Sequence, residues 1–589
     1  MRPQVDGGRY PVKRAIGDEV VVEADVFADG HDAVSCELLW RYSEDKQWRR
    51  VPMEFRLNDH WAASFRVEKL GRYEYTVRGW NDPFLTWRRD LVKRRDAGQD
   101  LTIDLQIGAE ILGSEIPDYE SALDAGVPHP AEASVVTYEK TLEVVVDPVR
   151  ARFSSWYEMF PRSFGGFRGM IEVLPYVEEL GFDVLYLPPV HPVGVTARKG
   201  GNNAVAAKPR DVGSPWAIGG AEGGHKALHP DLGSFSDFEL LVAEAKKRGI
   251  EIAIDIAFQC SPDHPYVREH PEWFRWRPDG TVQYAENPPK KYQDIYPFEF
   301  ESDAFRSLWN ELKSVFELWI GHGVKIFRVD NPHTKPFAFW EWAISDLKRK
   351  NPELIFLSEA FTRPRIMHKL AKLGFTQSYT YFTWRNTKQE LTEYFTEVAK
   401  DPSREYFRPS FWPNTPDILH ETLQRGGRPA FIVRVVLAAT AAANYGIYGP
   451  AYELQERTPR EAGSEEYLNS EKYEIKRWDL KRADSLAPLI SRLNRIRKEN
   501  PALQSDWSLK FHPIDNDQLL AFSKQEKENR ILVVVNLDVH NPQSGWIDFG
   551  PCEVHDLLSG GHYTWTGPRN YIELSPHTLP AHVFRVTRG

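Results

Sequence analysis

The 589-residue chain has only three cysteines, Cys36, Cys260 and Cys552, far apart and odd in number. That excludes a disulfide framework and a cysteine-based metal centre, and fits a reducing compartment. Long apolar runs are scarce as well. The most apolar stretch, Phe431 to Ala443, is interrupted by Arg434, and the opening MRPQVDGGRYPVKR has no apolar core of the kind an export signal needs. A soluble, unexported, cytoplasmic protein without a membrane partner is therefore expected. Dense basic runs are missing too, and the net charge of −10 argues against nucleic acid as a partner. There is no internal repeat and no low-complexity segment. What the chain does have is length enough for several domains, and aromatic residues at 13%, whose flat faces suit both core packing and sugar stacking.

Alternation at period two marks the N-terminal region: Val20, Val22, Ala24 and Val26 against Glu23 and Asp25, then Tyr73, Tyr75 and Val77 against Arg72, Glu74 and Thr76. Leu101, Ile103, Leu105 and Ile107 close the series, so residues 1–108 are predicted to form an immunoglobulin-like β-sandwich. Residues 109–145 read as a short helical connector. From about 146 to 500, eight short apolar runs alternate with amphipathic stretches such as SDFELLVAEAKKRG. This pattern predicts an α/β domain of the (β/α)8 TIM-barrel class, and the lack of a Gly-rich turn after the first strand disfavours a doubly wound sheet. Long loops follow strand two (191–228) and strand three (259–305, a small subdomain), and loops of that length are usually functional. Residues 501–589, with QLLAFSK, RILVVVNLD, SGWIDFG and HVFRV, are predicted to form a C-terminal β-sandwich.

The barrel reading puts carboxylates where such barrels keep their chemistry, at strand C-termini. Asp255 ends strand three, Asp330 strand four, Glu359 strand five and Asp417 strand seven. In VKIFRVDNPHTK, Arg328 and Asp330 are two apart and face the same side. Adjacent strands lie ~4.8 Å apart, so Asp330 and Glu359 suit the ~5–5.5 Å separation of a retaining glycosidase pair. Asp330 is then the nucleophile, kept ionised by Arg328. Glu359, with no cationic neighbour apparent between Ser358 and Ala360, is the acid/base, and Asp417 orients sugar hydroxyls.

The segments FRVD, SEAF and NTPD resemble those of the α-amylase superfamily of retaining glycosidases and transglycosidases. More narrowly, ARKGGNN, DIAFQCSPDHP, ENPPKKYQDIYP, FRVDNPHTKPFAFWEW, FLSEAFTRP and TQSYTYFTWRN resemble the bacterial α-1,4-glucan:maltose-1-phosphate maltosyltransferases. The resemblance implies retaining transfer of maltosyl units from α-maltose 1-phosphate to the non-reducing end of an α-1,4-glucan, with phosphate released and no cofactor. It also implies that Asn287, Lys290, Tyr292 and Asn331 hold the donor phosphate, while Lys199 and Gln259 contact donor hydroxyls. For Lys199 the adjoining Gly-Gly alternatively marks only a flexible turn. Gln259 and Cys260 stand where amylases carry Asn and His, and Pro416 stands where they carry His before the strand-seven Asp. Loss of that Asn removes a common calcium ligand, so no metal is expected.

His333 either lines the site or caps the helix beginning near Pro336, and Tyr379, Tyr381 and Trp384 divide between an acceptor platform and core. The short connector leaves open the homodimer that a longer helical insertion supports in many members of the family. Two rival functions remain at this stage: a related hydrolase or trehalose synthase-like isomerase, and a non-catalytic carbohydrate-binding barrel. Three intact carboxylates disfavour the second, and phosphate dependence separates the first.

Overall fold

The computed structural model describes residues 1–126, 128, 134–288, 290–400 and 402–587, with only the backbone at 287 and 290. The chain divides into two compact units, Met1–Pro148 and Val149–Gly589.

In the first unit one sheet orders Val12–Ala15, Leu142–Asp147, Gly71–Asn81, Val34–Tyr42 and Arg49–Pro52, and a second holds Glu19–Asp25, His60–Arg66 and Glu54–Leu57. The segment read as a last strand is helical. Helices Pro83–Asp96, Thr102–Leu112 and Tyr119–Asp124 follow, so the first run of sandwich strands stops at Asn81 and not at residue 108. Leu142–Asp147, assigned to the connector, pairs with Gly71–Asn81 as a sandwich strand. The error has a physical source: Leu101, Leu105, Ala109 and Leu112 also fit one face of a helix, and that face packs on Phe84, Trp87 and Leu91. Ile103 is left 63% exposed, which an inward strand position would not allow. Gly108 lets the helices approach, because a Cβ there would lie 2.0 Å from the Trp87 ring.

The second unit holds an eight-stranded parallel sheet: β1 Ser154–Glu158, β2 Val184–Leu187, β3 Glu251–Ile256, β4 Ile326–Asp330, β5 Ile355–Glu359, β6 Gln377–Ser378, β7 Ser410–Phe411 and β8 Asn444–Tyr448. Its order is 6-5-4-3-2-1-8-7, and a parallel bridge from Ser378 to Pro409 joins β6 to β7 and closes the barrel. The helices between strands bury one stripe each. Phe305–Gly321, for example, buries Leu308, Leu312, Val315, Phe316 and Trp319. The loop after β3 carries two hairpins, Gln259–Cys260 with Tyr296–Pro297 and Ala285–Asn287 with Lys290–Tyr292. After helix Ala487–Glu499 the chain forms a six-stranded sheet and a separate two-stranded one, packed around Leu532, Val534, Ile547 and Phe584.

Candidate active site

Alternation along the barrel strands builds the floor of the site. Trp156, Tyr186, Ala253, Ile326 and Leu357 belong to one buried cluster inside the barrel. Two residues further along their strands stand Glu158, Asp255, Arg328 and Glu359, and Asp330 ends β4. Asp330 and Glu359 are direct partners across the β4–β5 pair, as Asp255 and Arg328 are across β3–β4.

Arg328 connects these acids. Its Nη1 donates to Asp255 Oδ2 at 2.9 Å and to Asp330 Oδ1 at 2.8 Å. Its Nη2 lies 3.7 Å from Glu359 Oε1, which corrects the expectation that Glu359 has no cationic neighbour; the sequence beside Glu359 could not reveal a charge arriving from β4. Tyr186 donates its hydroxyl to Asp255 Oδ2 at 2.5 Å. Rings of Tyr186 and Tyr379 lie 5.8 Å from the guanidinium.

The environment drives the two central carboxyls apart. Burial lifts the Glu359 carboxyl to about 7, helped by the negative charge of Asp330 and opposed by Arg328 and by the Asn331 N–H. Burial also works against the charge of Asp330, but Arg328, Lys335 and Lys472 outweigh it and hold this carboxyl below the ordinary range. One group is thus suited to carry a proton near neutrality and its neighbour to stay ionised.

Asn331 and Lys335 extend the cluster. Asn331 has φ +42°, in the left-handed region. Its backbone N–H donates to Glu359 Oε2 at 3.0 Å and its Nδ2 to Asp330 Oδ2 at 3.3 Å, so in this state its donors face the carboxylates. Lys335, buried, donates from Nζ to the carbonyls of Asp330 at 3.4 Å and Asn331 at 3.2 Å. Burial depresses its ammonium below the usual lysine range, against the pull of Asp330, Glu359 and Asp255.

Asp417 does not end a strand, as the sequence reading had it. β7 stops at Phe411, and Asp417 lies in a turn closed by pairing of Thr415 with Ile418. Its half-exposed carboxylate accepts from Lys472 Nζ at 2.6 Å, and Lys472 also lies 4.9 Å from the Trp216 ring centre. Sequence reasoning missed Lys335, Lys472, Tyr186 and Glu158. The length of the segment after β8 was the available signal for Lys472, and inward strand parity was the signal for Tyr186 and Glu158.

Lys199 is half-buried in a loop pinned from three sides. Asp263 accepts from the backbone N–H groups of Val195 at 2.6 Å and Thr196 at 2.7 Å, Arg198 donates to the Gly194 and Val193 carbonyls, and Glu474 accepts from Asn202 N–H at 2.8 Å. Gly200 is needed for close approach, since a Cβ would lie 2.7 Å from the Ala206 carbonyl oxygen. Gln259 opens the first hairpin after β3, and Tyr292, 39% exposed, closes the second. Among the described residues no hydrogen bond joins Lys199, Gln259 or Tyr292 to Asp330, Glu359 or Asp417. The side chains of Asn287 and Lys290 lie outside the described residues. His333 sits in a 3-10 turn, and the following helix, Phe337–Lys350, has Pro336 at its N-cap with no side-chain cap. Tyr379 is core, stacked on Trp412 at 4.9 Å, and Trp384 donates to Glu465 at 2.9 Å.

Residues 1–152 match the family model "Alpha-1,4-glucan:maltose-1-phosphate maltosyltransferase, domain N/S", residues 150–314 match "Alpha amylase, catalytic domain", and residues 511–586 match "GLGE, C-terminal". An α-1,4-glucan:maltose-1-phosphate maltosyltransferase from Chlorobaculum tepidum is 52% identical, over 99% of this chain and 95% of that protein. One from Methylacidiphilum infernorum is 48% identical, over 100% and 95%. Among solved structures, an α-amylase from Lactobacillus plantarum superposes with TM-score 0.60 at 18% identity, over 74% of this chain and 100% of that one. A noncanonic maltogenic α-amylase from Thermotoga neapolitana gives 0.58 at 18% over the same share of this chain. These two establish the barrel fold alone. Identity near one half across nearly the full length goes further: the chain belongs to the α-1,4-glucan:maltose-1-phosphate maltosyltransferase family.

Proposed function

We propose that this protein transfers maltosyl units from α-maltose 1-phosphate to the non-reducing end of α-1,4-glucans, with retention and release of phosphate. The observation that carries the mechanism is the Asp330–Glu359 pair: direct strand partners, bridged by Arg328 and Asn331, with carboxyls pushed in opposite directions. In the first displacement Asp330 attacks C1 of the donor, and the bond from C1 to the phosphate oxygen breaks with its electron pair leaving on phosphate, which takes a proton from Glu359. In the second, the acceptor hydroxyl attacks C1, gives its proton to Glu359 and releases Asp330. Two inversions give retention.

Asp417 orients donor hydroxyls, and Arg328 keeps the nucleophile ionised. Asn287, Lys290, Tyr292 and Asn331 receive the phosphate, with Lys199 and Gln259 on the sugar. The pinned 194–203 loop supports the placement of Lys199. We read the enzyme as cytoplasmic, which its three buried free thiols support; light scattering decides between a monomer and the homodimer that the short connector leaves open. Incubation with α-maltose 1-phosphate and a maltooligosaccharide should yield phosphate and products two glucose units longer. Glucose or maltose without phosphate dependence would refute the assignment.

A further inference from the structure

A buried lysine ordinarily pairs with a carboxylate. Lys335 instead spends its hydrogen bonds on two main-chain carbonyls, those of Asp330 and Asn331. These carbonyls lie on the two peptide bonds either side of Asn331, a non-glycine in the left-handed region, a conformation that persists only where surrounding contacts hold it. Asn331 also carries the N–H that reaches Glu359 and the side chain that reaches Asp330. Trp340 Nε1 holds the next carbonyl, that of Pro332, at 2.9 Å, so the turn is fastened from the helix side as well.

We propose that Lys335 is a positioning residue: a cationic clamp that fixes the Asp330–Asn331 turn and, through it, the geometry and relative proton affinity of the two reacting carboxyls. The inference rests on the roles given above to Asp330 and Glu359. The charged groups around the clamp come from several elements: Asp255 on β3, Arg328 and Asp330 on β4, Glu359 on β5 and His333 in the turn itself. Lys472, from the loop after β8, also acts on Asp330. With Arg328 shared among three carboxylates, Lys335 is the second fixed cation on the floor. Its loss raises the proton affinity of both Asp330 and Glu359.

That sign makes the clamp separable from simple packing. Donor kcat/KM requires Asp330 ionised and Glu359 protonated, so its pH profile is a bell. Lys335→Met should lower kcat by about 10–100-fold through misplacement. It should also move both limbs upward by about 0.5–1 pH unit. Titration of the donor phosphate is common to all variants and cancels in the comparison. Lys335→Gln keeps N–H donors for the carbonyls without the charge, and should shift the bell with a smaller loss of kcat. Lys335→Arg should return the bell to its wild-type position.

A bell that stays in place in both neutral variants overturns the clamp, whatever happens to kcat. So does a displaced bell in Lys335→Arg. If Lys335→Met does not fold, the Gln and Arg variants carry the test. Failure of the underlying assignment looks different: Asp330→Ala would then remain active, whereas failure of the clamp alone leaves Asp330→Ala inactive.

Discussion

Asp330 and Asp417 are both proposed to face the donor sugar, and the protein holds them by opposite means. Asp330 is 7% exposed at the end of a strand, bonded to a buried arginine and partnered across β4–β5 with Glu359. Asp417 stands in a loop, half exposed, held by one lysine from the segment after β8. Strand pairing fixes a side chain to within the tolerance of the sheet, while a loop relies on a few side-chain contacts that solvent and salt weaken. The proposed reacting pair accordingly sits on strands, and the groups proposed to sort substrates sit on loops.

The sharpest way to break that contrast is to remove the nucleophile. Asp330→Ala should lower transfer by at least about 10⁴-fold, since the carboxylate forms the covalent bond. Steady-state phosphate release measures it, and near-normal turnover would end the strand-centred reading. Circular dichroism should show an intact fold, because the side chain lies at the barrel mouth above the buried cluster.

Glu359 comes next. Glu359→Gln should slow attack by the acceptor about 10²–10⁴-fold, because the general base is gone. In the wild type the carboxyl is protonated below about 7, so donor kcat/KM should fall as pH rises through that value. The glutamine variant should lack this limb. Mass spectrometry of Glu359→Ala given α-maltose 1-phosphate should reveal a maltosyl adduct on Asp330, as phosphate leaves with less assistance than a sugar alcohol. An adduct elsewhere would reassign both roles.

The same division explains what the sequence disclosed. Barrel class, the ends of β4 and β5 and the Asp330–Glu359 partnership follow from side-chain alternation and neighbouring-strand spacing, which are local and regular. Leu101 to Ile107 misled because the four apolar residues alternate at period two, while Leu101 and Leu105 alone also fit a helix face with Ala109 and Leu112, and only the packing of that face on Trp87 decides between the periods. Lys335 bonds main-chain carbonyls, which leave no mark in a pattern of side chains. The approach of Lys472 to Asp417 spans 55 residues between two loops, and no periodicity carries such information.

Loop-borne specificity should appear as selective damage. Lys290→Ala removes a charge proposed to touch only the departing phosphate. A hydrogen bond to a charged group contributes ~1.5–3 kcal/mol, so donor efficiency should fall about 10–150-fold. With maltosyl fluoride as donor the loss should be small. Equal losses for both donors would mean that the loop supports the sugar or its own fold.

The smallest effect should come from the anchor of Asp417. The Lys472–Asp417 pair is half exposed on its acidic side, and exposed pairs contribute up to about 1 kcal/mol, or about five-fold in rate. Lys472→Met keeps a flexible stem over the Trp216 ring and deletes the charge, so kcat/KM should drop about that much. Its charge also helps to hold the Asp330 carboxyl down, so the acid limb should move slightly upward in pH. Both changes should shrink in the wild-type comparison as salt is raised, because the ion pair being tested is itself screened. A hundred-fold, salt-independent loss would show that this loop carboxylate is held as rigidly as the strand pair, and the contrast between the two regions would not stand.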